Sequence, residues 1–344
     1  MNPIPTRSLG CSGVEVPALG FGGAPLGELF ERLTEDRAQA TLRGAWDCGI
    51  RYFDTAPWYG HGLSEHRIGW LLRQQDPAAF FCSTKVGRVY DRARGGADRD
   101  VTAPWAGGLP FVPRFDYTYA GVMRSFEDSL MRLGLNRVHA LVIHDLDFGY
   151  HGSEANVGAK LRELDSGWTA LEALRRSGEI EAIGVGVNEA SMMPEFLDRW
   201  PIDFFLVAMP YTLLDQAVLD REFPACDARG VGVVIGAPYA SGILATGAVE
   251  GVRYGYAPAS AQARRKVARI EALCARYGVP LKAAALQFPL AHPLVASIIP
   301  GANTREQVEE NRAMLEHAVP VELWAELRSE ELIHADAPVP TPGP

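Results

Sequence analysis

The chain has 344 residues, 47% hydrophobic and 22% charged, close to the globular average, so it can bury a sizeable core and is neither disordered nor fibrous. Acids outnumber bases 42 to 33, a formal charge of −9, which argues against a nucleic-acid partner and against binding to an anionic membrane. No run reaches the ~18 apolar residues of a membrane span. Residues 1–5 lack the basic-then-apolar layout of a signal peptide, so a cytoplasmic protein is expected.

In chain order, residues 6–16 read as a short hairpin with a Ser12-Gly13 turn, placed to cap the floor of a barrel. Residues 17–23 read as a strand ending in glycines. Thr34 to Cys48 reads as a helix, with Thr34 and Asp36 suited to its first turn and Gly49 just past its end. Strands come next at 50–54 and 80–85, with a helix at 65–73 between them. Residues 86–116, rich in Gly, Arg and Pro, form a long insertion after the third strand, and loops of that length are usually functional or disordered. A helix at 119–133, stopped by Gly134, precedes a strand at 138–144. A helix at 168–177 precedes strands at 180–187 and 204–209. The remaining elements are a strand at 231–235, a helix at 261–277, a strand at 295–299 and a helix at 305–316.

The strands are continuous apolar runs, as expected when both faces are covered, and they alternate with helices. Eight such units in one chain of this length predict an α/β fold, a single-domain (β/α)8 TIM barrel over residues 1–335. A doubly wound sheet is the rival. The Pro-rich residues 336–344 are expected to fray.

The five cysteines are widely spaced, with no C-x-x-C, so neither a disulfide framework nor a thiolate zinc site is expected. His139 and His144 are five apart on one strand and face opposite ways, and no spacing near His61 and His66 supports zinc, so no metal is expected. No G-x-G-x-x-G is complete. Only four of the 33 basic residues are lysines, so a lysine at an unusual place stands out.

Catalytic groups of a parallel barrel sit at the C-terminal ends of its strands. Asp54 ends the second strand, with Tyr59 five residues on. Lys85 ends the third and His144 the fourth. Each has a bland reading: a turn cap, a loop aromatic, a solvated strand end, a satisfied core histidine. Four from three neighbouring strands converge too well for that. A free tyrosine ionises near ~10, and an adjacent ammonium favours its phenolate. Asp54 would hold that ammonium, and His144 would orient a substrate oxygen. Tyr59 would exchange a proton with a carbonyl or alcohol while a cofactor carries hydride.

The chain resembles the aldo-keto reductases from about residue 6 to about residue 315. The matching stretches are Ala18 to Gly23, Phe53 to Gly60, Ser64-Glu65, Ile68-Gly69, Ser83 to Lys85, Ser125 to Gly134, Ile143 to Asp145, Ile183 to Asn188, Ala237 to Gly247, Ile299 to Ala302 and Gln307 to Asn311. The resemblance implies the barrel, a nicotinamide cofactor and a catalytic tetrad of Asp54, Tyr59, Lys85 and His144. It further implies that Gly23, Ala24 and Asp54 lie near the nicotinamide and that Asn188 holds its carboxamide. Pro238, Ser241, Gly242 and Leu244 would contact the pyrophosphate. Gly301, Asn303, Gln307, Glu310 and Asn311 would line the adenosine end. Two departures stand out. Gly236 occupies the place where the family often stacks a tyrosine, and a glutamine common on the sixth strand has no match near Ala208 and Met209.

NADP-preferring members usually carry a Lys and an Arg where this chain has Gly301 and Gln307. NAD is therefore favoured and NADP second, with Arg305 the candidate to compensate. Residues 115–135 and 210–216 look most like the aldose dehydrogenases of the family, those acting on L-fucose, D-arabinose or L-galactose. That implies oxidation of the anomeric C1 hydroxyl of an aldose to the lactone. Trp58, Trp105 and Phe111 would stack on the sugar, and Tyr59, His144, Asp145 and Asp147 would meet its oxygens. Pyridoxal 4-dehydrogenases look similar too, and a general NADPH-dependent carbonyl reductase is a further reading. A non-enzymatic regulatory subunit is disfavoured because the tetrad is complete. The expected partner is a small molecule, and the expected state a monomer or homodimer.

Overall fold

The expected N-terminal hairpin forms: β1 (Thr6–Ser8) pairs antiparallel with β2 (Glu15–Pro17). Leu9 and Val16 pack under Tyr52, Phe81, Ala140, Phe204 and Val234, so the hairpin closes the barrel floor with apolar side chains. The structure, a computed structural model, describes residues 3–94, 103–255 and 257–341.

Three strands open the barrel: β3 (Phe21–Gly22), β4 (Tyr52–Asp54) and β5 (Phe81–Val86). A hairpin of β6 (Arg88–Arg92) and β7 (Phe111–Phe115) rises directly from the top of β5. Next come β8 (Ala140–Ile143), β9 (Ala182–Val187), β10 (Phe204–Val207) and β11 (Gly232–Ile235). A two-residue pair, β12 (Arg253–Tyr254) with β13 (Ala257–Pro258), precedes the last barrel strand, β14 (Val295–Ile298). The eight long-axis strands lie in the order β3, β4, β5, β8, β9, β10, β11, β14, each parallel to its neighbour. Parallel bridges from Leu19 to Ile298 and from Gly22 to Gly301 join the two ends and close the cylinder. At Gly22 a Cβ would stand 2.5 Å from Ile299 O, so closure needs glycine there.

The helices are α1 (Glu35–Asp47), α2 (Leu63–Leu72), α3 (Tyr119–Leu133), α4 (Phe148–His151), α5 (Glu154–Ser177), α6 (Met193–Leu197), α7 (Glu222–Asp227), α8 (Ile243–Thr246), α9 (Ala261–Arg276), α10 (Leu281–Leu290), α11 (Arg305–Glu316) and α12 (Val321–Ser329). α3 and α11 have the expected bounds, because each carries a threonine N-cap, Thr118 or Thr304, whose hydroxyl accepts a backbone N–H. α5 begins fourteen residues before the expected helix at 168, its interior Gly158 and Gly167 having masked the pattern. Gly167 is where Tyr117 O comes within 2.1 Å of a would-be Cβ, a close crossing of α5 by the chain entering α3.

Two further expectations change. The insertion after the third strand is not irregular where it is described: 88–92 and 111–115 pair as β6 and β7, and residues 95–102 lie outside the described residues. The Pro-rich end packs on the barrel as far as it is described. Ala337 is buried and accepts a hydrogen bond from Arg328, and Val339 lies against the core. Residues 342–344 lie outside the described residues.

Candidate active site

Asp54 closes β4, Lys85 is the next-to-last residue of β5, and His144 comes directly after β8. Parallel register puts all three at one end of the barrel. Tyr59 rides on the turn after β4, whose backbone is pinned by Thr55 N–H to Ser83 O (3.0 Å) and Ser64 N–H to Tyr59 O (3.2 Å). Glycine at 27 lets another segment press on that turn, since a Cβ there would meet Tyr59 C at 2.4 Å.

The four expected catalytic side chains come together. Lys85 Nζ donates to Asp54 Oδ2 (2.6 Å) and to Thr55 O (2.8 Å), and Ser83 Oγ donates to Asp54 Oδ1 (2.7 Å). Burial pushes the Asp54 carboxyl above its usual value, and the Lys85 ammonium and Ser83 hydroxyl limit that rise. The Lys85 ammonium stands 4.7 Å from the centre of the Tyr59 ring. The His144 ring meets that of Tyr59 edge-on, with centroids 5.9 Å apart. Burial lowers the imidazole to about 3, helped by Arg88 and Lys85 and opposed by Asp145, so His144 is neutral at neutral pH.

Two cavities meet at this group. One, of about 380 Å³, runs past Ala24, Pro238, Ser241, Gly242, Gly301, Asn303, Gln307, Glu310 and Asn311 and reaches Asp54 and Tyr59. The other, of about 350 Å³, lies over Lys85 and His144, with Trp58, Trp105, Tyr150 and Asn188 in its wall. Ala24, Leu29, Tyr59, Leu206 and Ala208 belong to both, so Tyr59 stands at the seam.

The long groove suits an extended dinucleotide. Its wall includes Asn303, whose Oδ1 is buried without a partner and can accept from a bound hydroxyl or amine. Gly242, at φ 103, has nothing within 4 Å of a would-be Cβ, leaving room for a phosphate against the backbone. Tyr239 donates to Asn311 Oδ1 (2.7 Å) and pre-sets that amide. At Gly236 a Cβ would meet Leu206 Cδ2 at 2.8 Å, so Leu206 fills the space left by the missing aromatic.

Several expected residues fall elsewhere. Gly23 lines neither cavity: its N–H donates to Asp54 O and its carbonyl accepts from Ser64. Leu244 is in the hydrophobic core, with its N–H on Tyr239 O, so it does not line the groove. Asp147 is buried and caps α4 by accepting from Tyr150 N–H (3.1 Å), and it also takes Asn188 Nδ2, so it does not line the second cavity. Phe111 is exposed on β7, outside that cavity. Arg305 is held by Asp47 (3.0 Å) and Glu309 (2.7 Å), away from the groove.

Arg88 was not singled out by sequence. It is buried, bonds Asp145, and lies 3.3 Å from His144 Nδ1. One arginine within an Arg-rich loop carries no signal that separates it from its neighbours. Burial penalises the Asp145 carboxylate, but His144, Arg88 and Asn188 outweigh that, and its pKa falls below the usual value. No group of three or more His, Cys, Asp or Glu among the described residues is placed to hold a metal.

The family model described as the aldo/keto reductase family matches residues 18–331. The chain is 41% identical to pyridoxal 4-dehydrogenase of Microbacterium luteolum, over 95% of this chain and 97% of that protein. It is 36% identical to D-threo-aldose 1-dehydrogenase of a Pseudomonas species, over 94% and 96%. Among solved structures, an aldo-keto reductase from Bacillus halodurans in its holo form superposes with TM-score 0.73 at 25% identity, over 97% of this chain and 98% of that one. With the tetrad assembled at the mouth of a closed barrel, the chain belongs to the aldo-keto reductase family and is an NAD(P)-dependent oxidoreductase.

Proposed function

We propose that the enzyme oxidises the hydroxyl carbon of a cyclic hemiacetal to a lactone, with NAD as the favoured acceptor. The carrying observation is Tyr59 at the seam of the two cavities, with Lys85 and Asp54 behind it. When bound, the nicotinamide supplies a two-electron acceptor for hydride. Tyr59 takes the hydroxyl proton as that C–H bond breaks, so a C–O single bond becomes C=O. Lys85 stabilises the phenolate that must precede this transfer, and Asp54 holds Lys85. Neutral His144 donates a hydrogen bond to the same oxygen.

Pyridoxal and the aldoses share the cyclic hemiacetal. The walls favour a flat aromatic one: Trp58, Trp105 and Tyr150 present ring surface. The carboxylates expected for sugar hydroxyls are already engaged, Asp145 by Arg88 and Asn188 and Asp147 by Tyr150 and Asn188. An aldose is the second reading, favoured by the likeness to D-threo-aldose 1-dehydrogenase. NAD is favoured because Gly301 and Gln307 bring no cation to the groove, Arg305 is turned away, and Lys282 is neutralised by Glu310 (2.5 Å). Absorbance at ~340 nm, where reduced nicotinamide absorbs, tests both points, with NAD or NADP offered against pyridoxal, L-fucose, D-arabinose and L-galactose. Turnover of pyridoxal with NAD supports the reading, and turnover of sugars alone moves it to the aldose. No oxidation of any hemiacetal overturns it.

A further inference from the structure

We propose that Arg88 is a positioning residue for His144, fixing the imidazole as the tautomer that carries its proton on Nε2. The inference rests on the proposed hemiacetal oxidation only in assigning the substrate oxygen as the acceptor of that proton. Arg88 opens β6 and is 3% exposed. Its guanidinium is packed over the rings of Trp58 (4.5 Å), Phe115 (4.4 Å) and Tyr150 (4.8 Å), which restrict its movement. In that pose it bonds Asp145 Oδ2 and holds an N–H 3.3 Å from His144 Nδ1. A guanidinium only donates, so Nδ1 must offer its lone pair and the proton must sit on Nε2. Nε2 is 3.6 Å from Asp145 Oδ2, beyond hydrogen-bond length, and His144 lines the substrate cavity.

The groups facing His144 are Arg88, Asp145, Lys85 and the Tyr59 ring, with Tyr117 on its carbonyl. Burial first, with the Arg88 and Lys85 cations, keeps an imidazolium unfavourable against the opposing pull of the Asp145 carboxylate. His144 therefore acts as a donor and does not compete with Tyr59 for the transferred proton. Trp58 and Tyr150 line the same cavity, so Arg88 also ties the substrate walls to the catalytic histidine.

The test is nitrogen-15 NMR of the full-length enzyme labelled at histidine, with the His144 signals assigned by their loss in His144→Gln. A pyridine-type Nδ1 and a pyrrole-type Nε2 are expected in the wild type, and a tautomer mixture or an opposite tautomer in Arg88→Met. A protonated Nδ1 in the wild type overturns the proposal, and so do unchanged His144 signals in Arg88→Met. If Arg88→Met does not fold, Arg88→Lys carries the same comparison, and a protonated Nδ1 in the wild type overturns the proposal without any Arg88 variant. Kinetics give a second readout. Arg88→Met should lower kcat about 10²-fold, with KM changed less, since a misplaced catalytic group costs about that much. In a His144→Gln background the same substitution should add almost nothing, whereas a full second loss would overturn the assignment. Arg88→Lys should restore part of kcat. A chain with the Nε2 tautomer but no hemiacetal activity would fault the functional reading and leave Arg88 in place.

Discussion

Lys85 Nζ stands 2.6 Å from Asp54 Oδ2, with the two side chains only 1% and 2% exposed. Neither charge has water to fall back on, so each makes the other's burial tolerable. The same pair sits behind Tyr59, which joins the stability of the barrel mouth to its chemistry.

Removing one partner strands the other. Lys85→Met is expected to destabilise the fold by about 3–5 kcal/mol, because Asp54 is left buried and unpaired. The double variant Asp54→Asn with Lys85→Met should recover part of that loss while staying inactive. Urea unfolding midpoints measure both, and a double variant no more stable than Lys85→Met would contradict the argument.

Tyr59→Phe removes only the hydroxyl that the proposed mechanism uses to exchange the proton. A fall in kcat of about 10²–10⁴-fold is expected, the usual worth of a positioned acid or base. Binding of NADH, followed by its fluorescence, should stay nearly unchanged, because the groove residues beyond Tyr59 are untouched. Near-normal turnover would remove Tyr59 from the mechanism.

Cofactor choice has one cheap lever. Gln307→Arg adds a cation at an exposed position on α11 that lines the groove. A charge-assisted bond to a 2′-phosphate is worth about 1.5–3 kcal/mol, so the KM for NADP should fall about 10–100-fold. Gly301→Lys should do worse, since a Cβ there would press on Pro25 Cγ at 2.6 Å. The ratio of kcat/KM for the two nucleotides reads the outcome.

His144 supplies a pH dependence of stability. Its pKa is lowered from 6.5 to about 3 by burial first, so the unfolded chain binds a proton that the folded one refuses. Stability should therefore be intact above the unfolded value and fall as pH drops from 6.5 toward 3. His61, His139 and His292, also lowered chiefly by burial, act in the same direction. His144→Gln should show a shallower loss of urea midpoint between about pH 7 and about pH 5, and an equal slope in both proteins would contradict the assignment.

Much of the fold and the tetrad was legible in the sequence because the governing signals are local. Apolar runs marked the eight strands, and polar residues at their ends, Asp54, Lys85 and His144, marked the rim that carries the candidate site. α3 announced itself through its stop at Gly134, and the structure adds the Thr118 cap at its start. The N-terminal half of α5 did not, since Gly158 and Gly167 are poor helix formers, and at Gly167 the reason for glycine is a neighbouring chain. Asp147 carries a readable hint, an acid three residues before the Tyr150 N–H that it caps, whereas the resemblance to sugar-handling proteins implies a place against substrate.

The sequence by itself determined the barrel, its closing hairpin and which side chains stand at the strand ends, because strand periodicity and parallel register place those residues whatever surrounds them. Only the tertiary structure decided which of their atoms remain available. Arg88 and Asn188 come from different elements and spend the oxygens of Asp145 and Asp147, and Leu206 fills the space over Gly236. The hydrogen-bonded pairings depend on side chains 41 or more residues apart choosing each other in a buried volume where an unpaired polar atom is costly, and no local pattern encodes that choice.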